Sequence, residues 1–488
     1  MKKSPFNVLF VGSELAPLAK AGGLGDVLGA LPKGIAPHVN KTWVALPFYK
    51  SVTKNATSKI EHIANVQVRV NNKVERVSVW RTYIPNSKIP VLLFKNNNYL
   101  SRGTAYQGTA VTNPITKRPA TAHTGQRLRF LFFSHAVYQF IKQEKLPVTT
   151  LHANDYHTAG LQYLLKQDSD LGHIKCLLTI HNMGVVGDTK IELLKLFNWN
   201  AKSISVSSEL RRKKGIRMLR VAIDNANLIN TVSPTYANEI LSKEFGSGLE
   251  NIIKARKKDL SGILNGIDMD KFNPLKDPHI KYKYSIASLN KKKKNKLFLQ
   301  KKSGLSLNPN IPLFGLVHRL TSQKGLELII ELLPKLLALD AQFVFTGTGD
   351  PKYEKTFSDA AAIAPNKFFF HNKFDIPFSQ QIYAGSDLFF MPSKYEPCGL
   401  SQIIAMRYGS VPIVRATGGL KDTIDDGKNG FLFSSYSASA LQRTINRALR
   451  IYHNQPKQWE KIMRSGMSAD FGWDSSVKKY ISLYNKLS

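Results

Sequence analysis

The sequence of 488 residues contains little cysteine and no long apolar run. Its two cysteines, Cys176 and Cys398, cannot build a disulfide framework, so a reduced, cytoplasmic setting is predicted. No run approaches the roughly 20 apolar residues that a membrane span requires. The apolar run at residues 7–11 follows two lysines, as in a signal peptide, but it is short and precedes Ser13 and Glu14. We therefore interpret it as a buried first strand rather than a signal or transit peptide.

Negative charge is also scarce, since 34 acidic residues face 69 lysines and arginines and the net charge is +35. Such an excess invites a nucleic-acid interpretation. No nucleic-acid-binding motif is present, so we interpret the charge as a lysine-rich surface and expect no nucleic-acid partner. The densest run, at residues 290–302, is predicted to be a helix with a solvated face. A groove for an anionic ligand is the alternative.

Short apolar runs alternate with longer amphipathic segments along the whole chain. The runs predicted to be strands are NVLFVG, TWVALP, TTLHA, KCLLTIH and ANLINTVS, followed by IPLFGLVHR, AQFVFTG, KFFFHN, DLFFMPS and SVPIV. Continuous apolar strands joined by helices are typical of parallel sheets that are covered on both faces. The pattern repeats before and after about residue 265, which predicts an α/β fold with two doubly wound domains. Residues 261–274 are rich in turn residues and mark the boundary.

The glycine-rich stretch KAGGLGDV at residues 20–27 does not match the dinucleotide-binding pattern G-x-G-x-x-G. It also follows the first strand by about ten residues, so an NAD site is disfavoured. Its glycines let backbone N–H groups approach a ligand, and the segment DVLGALPKGI that follows is predicted to be a helix whose N-terminus favours anions. Lys20 and Asp26 add one charge of each sign. A plain loop is the alternative.

Two motifs place histidines after predicted strands. LHANDYHTAG puts His152, Asp155 and His157 in a strand-to-helix loop. A zinc site is disfavoured there because the spacing is not H-E-x-x-H, and Asp155 as a helix cap is the alternative. TIHNMG puts His181 at the carboxyl end of a strand, where ligands of such sheets bind, although a histidine of the core would read the same.

Three motifs of the second half suit a phosphorylated sugar. In VHRLTSQKG, Arg319 and Lys324 lie five positions apart and suit a diphosphate. In SKYEPCGLSQ, Glu396 suits sugar hydroxyls, and Pro397 is predicted to begin a helix whose first N–H groups form a donor nest. RATGGLKDTI at residues 415–424 repeats the pattern of small residues before a helix.

Asp268 and Asp270 form a D-x-D pair that could suggest a divalent metal. The pair lies in the predicted interdomain turn, and Arg319 and Lys324 can neutralise a diphosphate without a metal. We therefore expect no metal and no other cofactor.

These motifs together resemble those of bacterial glycogen synthases and plant starch synthases, which form glycosyltransferase family five. The resemblance covers nearly the whole chain, and its carriers are, in order, KAGGLGDVLGALPK, HANDYHTAG, TIHN, NTVSPTYA, GILNGID, HRLTSQKG, MPSKYEPCGLSQ and ATGGLKDT. It implies a GT-B fold, with two Rossmann-like domains facing across a deep interdomain cleft. Residues 1–262 would form the acceptor side, residues 263–465 the donor side, and residues 466–488 a helix that crosses back to the first domain.

The resemblance also implies the reaction. Glucose would pass from ADP-glucose to the 4-hydroxyl at the nonreducing end of an α-1,4-glucan, which is glycogen or a malto-oligosaccharide. The anomeric configuration would be retained on one face of the sugar, with the leaving phosphate helping to deprotonate the acceptor. Two alternatives stay open here: a related transferase with another donor or acceptor, and a catalytically weak glucan-binding protein.

Site residues are carried over by motif. The catalytic group would be Arg319, Lys324, Glu396, Asp26 and His181. The donor would be bound by Lys20, Gly22, Gly23, Gly25, Asn265, Phe374, Cys398, Gly399, Leu400, Thr417, Gly418 and Gly419. The acceptor side would contain Glu14, His157 and Asn182. Thr417, Gly418 and Gly419 would meet the phosphates through their backbone N–H groups, and Phe374 would lie against the base.

Three stretches depart from the family pattern. Family members usually carry HDWH where this chain has Asn154 and Tyr156 in NDYH. After TIHN the family commonly continues with Tyr-Gln-Gly, whereas this chain has VVG at residues 185–187. Residues 207–227 also differ and are strongly basic. All three fall toward the acceptor side, so we expect an altered preference for the glucan.

Overall fold

The computed structural model describes residues 4–103, 106, 114–115, 121–199 and 215–487. The chain folds into two compact units. The first contains Met1–Val232, Ala237–Ile263 and Trp473–Ser488, and the second contains Ser233–Tyr236 and Leu264–Gly472. Of the predicted basic stretch, residues 207–214 lie outside the described residues.

The first unit is built on a nine-stranded sheet with the order β11-β10-β7-β6-β1-β2-β5-β4-β3. Its strands are β1 (Ser4–Val11), β2 (Val39–Pro47), β3 (Glu61–Val70), β4 (Lys73–Tyr83), β5 (Pro90–Lys95), β6 (Thr150–Asn154), β7 (Lys175–Ile180), β10 (Leu228–Thr231) and β11 (Leu260–Gly262). A separate antiparallel pair is formed by β8 (Asp188–Lys190) and β9 (Gly215–Arg217). The strands from β11 to β5 are parallel, as their continuous apolar sequences predict.

The order of this sheet locates its ligand-binding edge. From β1 the chain passes to β2, then to the far edge at β3 and back inward through β4 and β5, and it continues on the other side of β1 with β6. Ligands of doubly wound sheets bind beyond the carboxyl ends of the strands at this reversal. The loops after β1 and β6 carry the glycine-rich stretch and the NDYH motif, so the sequence motifs lie at the reversal point.

Helices cover both faces of the first sheet. They are Gly23–Ile35, Lys50–Asn55, Ala122–Gln143, Ala159–Gln167, Ile191–Lys195, Met218–Asn225, Glu250–Ala255 and Trp473–Asn485, while the residues of Pro234–Glu239 are divided between the two units. The last helix packs Val477, Tyr480 and Tyr484 into the core of this unit. The hydroxyl of Tyr480 accepts a hydrogen bond from Asn230 at 3.0 Å, and that of Tyr484 lies 2.7 Å from Nδ1 of His152.

The second unit contains a parallel six-stranded sheet with the order β14-β13-β12-β15-β16-β17. Its strands are β12 (Leu313–Val317), β13 (Gln342–Thr346), β14 (Phe368–His371), β15 (Leu388–Met391), β16 (Val411–Arg415) and β17 (Phe431–Phe433). Counted from β12, this is the order 3-2-1-4-5-6 of a Rossmann fold, which reverses between β12 and β15. The helices are Lys292–Lys302, Leu326–Ala338, Pro351–Ile363, Ile376–Gly385, Ser401–Arg407, Gly418–Thr423, Ala438–Asn454 and Pro456–Ser468.

The lysine-rich run forms the helix Lys292–Lys302, but its lysines are not all solvated. Lys296 is buried with Nζ 2.6 Å from Oδ2 of Asp387. Lys292 is also buried and donates to the backbone carbonyls of Tyr383 and Ala384. The expected solvated face is therefore correct for the other lysines and wrong for these two. No helix in the described part of the chain is long and apolar enough to cross a membrane.

Candidate active site

The strongest candidate site of the second unit lies at the reversal between β12 and β15. Lys324 follows β12 and Glu396 follows β15, and Nζ of Lys324 lies 2.6 Å from Oε2 of Glu396. Ser393 donates to the same carboxylate oxygen at 3.0 Å. Arg319 is exposed, and its guanidinium has no hydrogen-bond or ion-pair partner among the described residues. One predicted cation is thus held by the predicted carboxylate, while the other is available to a ligand.

A glycine allows this ion pair to form. Gly325 follows Lys324 in the left-handed region with φ of +66°, and a Cβ there would lie 1.9 Å from the carbonyl oxygen of Pro392. The loop after β12 therefore packs directly on the loop after β15. This close approach brings Lys324 to Glu396 although 72 positions separate them in the sequence.

The ATGG stretch supports the Glu396 loop in a different way from the one predicted. The N–H of Gly419 donates to the carbonyl of Glu396, and the N–H of Thr417 donates to that of Arg415. These two N–H groups are occupied within the protein, and the assignment of Thr417, Gly418 and Gly419 to the phosphates stays a prediction. The glycines are needed for packing, because a Cβ on Gly418 would lie 1.9 Å from the carbonyl oxygen of Glu396.

The expected donor nest near Pro397 also differs. The helix begins at Ser401, four residues later, so Pro397 does not start it. The chain instead turns at Gly399, where φ is +74°. The N–H groups of Cys398, Gly399 and Leu400 still donate no hydrogen bond within the described part of the chain. They remain a set of backbone donors beside Glu396, on a loop rather than a helix end.

Asn265 and Cys398 are in contact, as their shared assignment to the donor site requires. Burial raises the pKa of the Cys398 thiol to about 12, and the backbone N–H of Asn265 donates to its sulfur. Oδ1 of Asn265 is buried and has no hydrogen-bond partner among the described residues. An unpartnered buried oxygen is costly, so a ligand group that donates to it is expected.

The remaining residues predicted in this unit are exposed. Phe374 lies in the loop between β14 and the helix Ile376–Gly385 and is 74% exposed, which suits an unpaired aromatic surface for a base. Asp268 accepts hydrogen bonds from the backbone of Asp270 and Lys271. Asp270 pairs with Lys276 at 2.8 Å. The carboxylates of the D-x-D pair thus have partners within the protein.

In the first unit the glycine-rich loop is organised by Glu14. This buried carboxylate accepts hydrogen bonds from the backbone of Ala21 and Gly22 at 2.7 and 2.5 Å, and from the hydroxyl of Tyr106 at 2.7 Å. A Cβ on Gly25 would lie 3.1 Å from the same carboxylate. Tyr106 carried no signal in the sequence, because 92 positions separate it from Glu14.

Lys20 and Asp26 form an ion pair of 2.7 Å at the start of the helix Gly23–Ile35. The helix begins three residues before the predicted DVLGALPKGI segment. A Cβ on Gly23 would meet no atom within 4 Å, so the N-terminal turn is open on that side. The loop therefore offers an accessible backbone, although its lysine has a counter-ion.

The loops after β6 and β7 bring Asn154, Asp155 and His181 together. The backbone N–H of His181 donates to Oδ1 of Asp155 at 2.7 Å, and Nε2 of His181 lies 2.9 Å from Oδ1 of Asn154. Burial raises the pKa of Asp155 to about 7. Burial lowers the pKa of His181 to about 3, so the imidazole is neutral near neutral pH. Asp155 makes no side-chain cap of the helix that follows, so that alternative is wrong.

The acceptor-side predictions differ in accessibility. His157 is buried between Phe130 and Tyr156, and neither of its ring nitrogens has a partner among the described residues. Asn182 is partly buried and accepts a hydrogen bond from the backbone of Gly184. His152 bonds Tyr484 and Thr179, so it does not join a metal site. No group of side chains suited to a metal ion occurs among the described residues.

Tyr156, one of the departures from the family pattern, is packed on both sides. Arg127 donates to the hydroxyl of Tyr156 and lies over its ring at 4.6 Å. Gly187 lies against the same ring, since a Cβ there, at φ of +72°, would be 2.4 Å from Cδ2. The ring of Tyr156 therefore packs between Arg127 and the glycine that follows Val185 and Val186.

Comparisons with known proteins match the whole chain. Residues 7–255 match the family described as starch synthase catalytic domain, and residues 295–465 match glycosyl transferases group 1. The chain is 39% identical to the glycogen synthase of Thermosipho melanesiensis over 98% of both chains. It is 37% identical to that of Streptococcus equi subsp. equi over 98% of this chain and 99% of the relative.

Solved structures agree. The catalytic domain of starch synthase IV from Arabidopsis thaliana, bound to ADP and acarbose, superposes with a TM-score of 0.89 at 30% identity over 99% of both chains. The sucrose-phosphate synthase of Thermosynechococcus elongatus shares the fold, with a TM-score of 0.60 at 18% identity over 99% of both chains. These matches and the two Rossmann-like sheets confirm the predicted GT-B fold class.

Proposed function

The chain belongs to the family of glycogen and starch synthases, and we propose that it elongates an α-1,4-glucan with glucose from ADP-glucose. The acceptor is the 4-hydroxyl at the nonreducing end of glycogen or a malto-oligosaccharide, and the anomeric configuration is retained. The arrangement of Arg319, Lys324 and Glu396 at the reversal point of the second sheet supports this proposal most directly. The Arabidopsis relative bound to ADP supports adenine in the donor.

Charge development explains the roles of the cations. When the bond between the glucosyl C1 and the phosphate oxygen breaks, its electron pair stays on the diphosphate. Arg319 is exposed and unpaired among the described residues, and Lys324 lies at the same loop, so both stand ready to stabilise that negative charge. Cations fixed in advance where charge develops are an efficient form of electrostatic catalysis.

The sugar is held by a carboxylate that accepts hydrogen bonds and by backbone N–H groups that donate them. Glu396 accepts hydrogen bonds from glucosyl hydroxyls, while the N–H groups of Cys398, Gly399 and Leu400 donate to the sugar or phosphate. Asp26 and His181 are carried over by motif as further contacts of the sugar. The acceptor hydroxyl attacks C1 on the face that the phosphate leaves, and its proton passes to a phosphate oxygen. No covalent enzyme intermediate and no divalent metal enter this scheme.

The test uses purified full-length protein, glycogen and radiolabelled ADP-glucose in the presence of EDTA, with UDP-glucose in parallel. Label entering the polymer from ADP-glucose is the expected result and needs no divalent metal. Preference for UDP-glucose would keep the transferase and overturn the donor. No incorporation from either donor, with malto-oligosaccharides of several lengths as acceptors, would overturn the proposed activity.

A further inference from the structure

The side-chain amide of Asn154 has a single orientation. Its nitrogen donates to the carbonyl of Val11 at 3.0 Å and to that of His152 at 3.2 Å. Turning the amide over would place Oδ1 against two carbonyl oxygens, where no proton is available. Oδ1 is therefore the atom that faces Nε2 of His181 at 2.9 Å.

This orientation decides which nitrogen of His181 carries the proton. An amide oxygen can only accept a hydrogen bond, so Nε2 must be the donor. Because burial lowers the pKa of His181 to about 3, the ring carries one proton near neutral pH and Nδ1 has none. Nδ1 makes no hydrogen bond among the described residues, and His181 as a residue is only partly buried.

We propose that Asn154 is a positioning residue that holds His181 in its Nε2–H tautomer, so that Nδ1 accepts a hydrogen bond from a sugar hydroxyl of the donor. Asp155 fixes the backbone of His181, and Asn154 fixes its ring. Asn154 is one of the departures from the HDWH pattern. A histidine there could accept or donate, whereas an amide held by two carbonyls can only accept. The contact with the sugar rests on the proposed function, but the tautomer does not.

The tautomer is measured by NMR on the full-length protein labelled with ¹⁵N-histidine, without substrate. His181 is assigned by the loss of its signals in His181→Gln. We expect a pyrrole-like Nε2 and a pyridine-like Nδ1 in the unaltered protein. Asn154→Leu, which removes the acceptor, should change this pattern. A protonated Nδ1 in the unaltered protein, or an unchanged pattern in Asn154→Leu, would overturn the tautomer assignment.

A matched control variant distinguishes a change of the His181 tautomer from a general loss of stability. Asn230 is a buried amide on the neighbouring strand β10 that bonds Tyr480 and not His181. Asn230→Leu should therefore lose stability as Asn154→Leu does, yet keep the His181 pattern. If Asn230→Leu changed the pattern equally, the specific role of Asn154 would be refuted.

Kinetics test the sugar contact. We expect kcat/KM for ADP-glucose to fall about tenfold in Asn154→Leu, the value of one hydrogen bond. A changed tautomer with unchanged kcat/KM would refute the sugar contact. Failure of the proposed function looks different, because the unaltered protein itself would then transfer no glucose.

Discussion

Removal of the Lys324 ammonium by Lys324→Ala should damage both stability and turnover, for separable reasons. The side chains of Lys324 and Glu396 are 13% and 7% exposed, and their charged atoms are 2.6 Å apart. Without Nζ, the carboxylate keeps only the hydroxyl of Ser393 as a side-chain partner. Removing one partner of a buried ion pair lowers the free energy of unfolding by about 3–5 kcal/mol. Because Lys324 is partly exposed, we expect the lower end of this range, about 3 kcal/mol.

The two effects are measured by separate assays. In a unit of about two hundred residues, 3 kcal/mol lowers the unfolding midpoint by roughly 6–12 °C. Loss of one preorganised charge that stabilises the leaving group should reduce kcat by about 10²–10³. Glucan binding should be kept, since the acceptor does not contact this lysine in the proposed scheme. Calorimetry gives the midpoint, and incorporation of labelled glucose gives kcat.

A double variant distinguishes the roles. Adding Glu396→Gln to Lys324→Ala removes the unpaired carboxylate, so stability should recover while turnover stays low. Lys355→Ala is the control, because Lys355 forms an exposed pair with Asp359 at 2.7 Å and such pairs contribute little. Unchanged turnover in Lys324→Ala would refute the assignment to the diphosphate. Recovery of turnover in the double variant would show that Lys324 acts only as the counter-ion of Glu396.

Three further predictions concern other parts of the site. Arg319→Ala should lower kcat about 100-fold and leave the midpoint unchanged, because the side chain is exposed; a lowered midpoint would reveal a structural role. Gly418→Ala should lose more stability than Gly427→Ala in calorimetry and should also lose activity. Both glycines have positive φ, which costs about 1–2 kcal/mol, but only Gly418 meets a carbonyl, that of Glu396. Asp155→Asn should remove a pH dependence of stability. The pKa of Asp155 is about 7 in the folded protein and near 3.9 in the unfolded chain, so between these pH values only the folded protein holds the proton. The free energy of unfolding, measured in denaturant titrations relative to the variant, should therefore fall from about pH 4 to 7, and a constant difference would contradict this.

Continuous apolar strands were the part of the fold that the sequence specified best. All ten predicted runs contain strands of the two parallel sheets. The ten runs do not include β3, β4, β5, β11 and β17. Of these, β3 and β4 form an antiparallel extension at one edge. In β3 the residues alternate between buried and exposed over its second half, so no continuous apolar run marks it. Such an edge strand is recognised by the alternation of buried and exposed residues and not by a continuous apolar run.

The sequence predicts which loops carry the proposed site residues, but it does not predict the partners of their side chains. The reversal rule places Lys324 and Glu396 at one edge, yet their ion pair depends on the close approach at Gly325. The occupied N–H of Gly419 and the late helix start after Pro397 follow from backbone geometry that residue types do not reveal. Burial of Lys296 likewise requires Asp387, which lies far along the chain.

The ion pairs of Lys20 and Lys324 bear on how the proposed donor would bind. Lys20 is held by Asp26 and Lys324 by Glu396, whereas Arg319 has no carboxylate partner among the described residues. A diphosphate can bind Arg319 at once, but it must compete with Glu396 for Lys324. When it does so, the carboxylate that loses its ammonium becomes free to accept sugar hydroxyls. Binding of the phosphates thereby prepares the sugar contacts, and glucose without a diphosphate would find Glu396 already occupied.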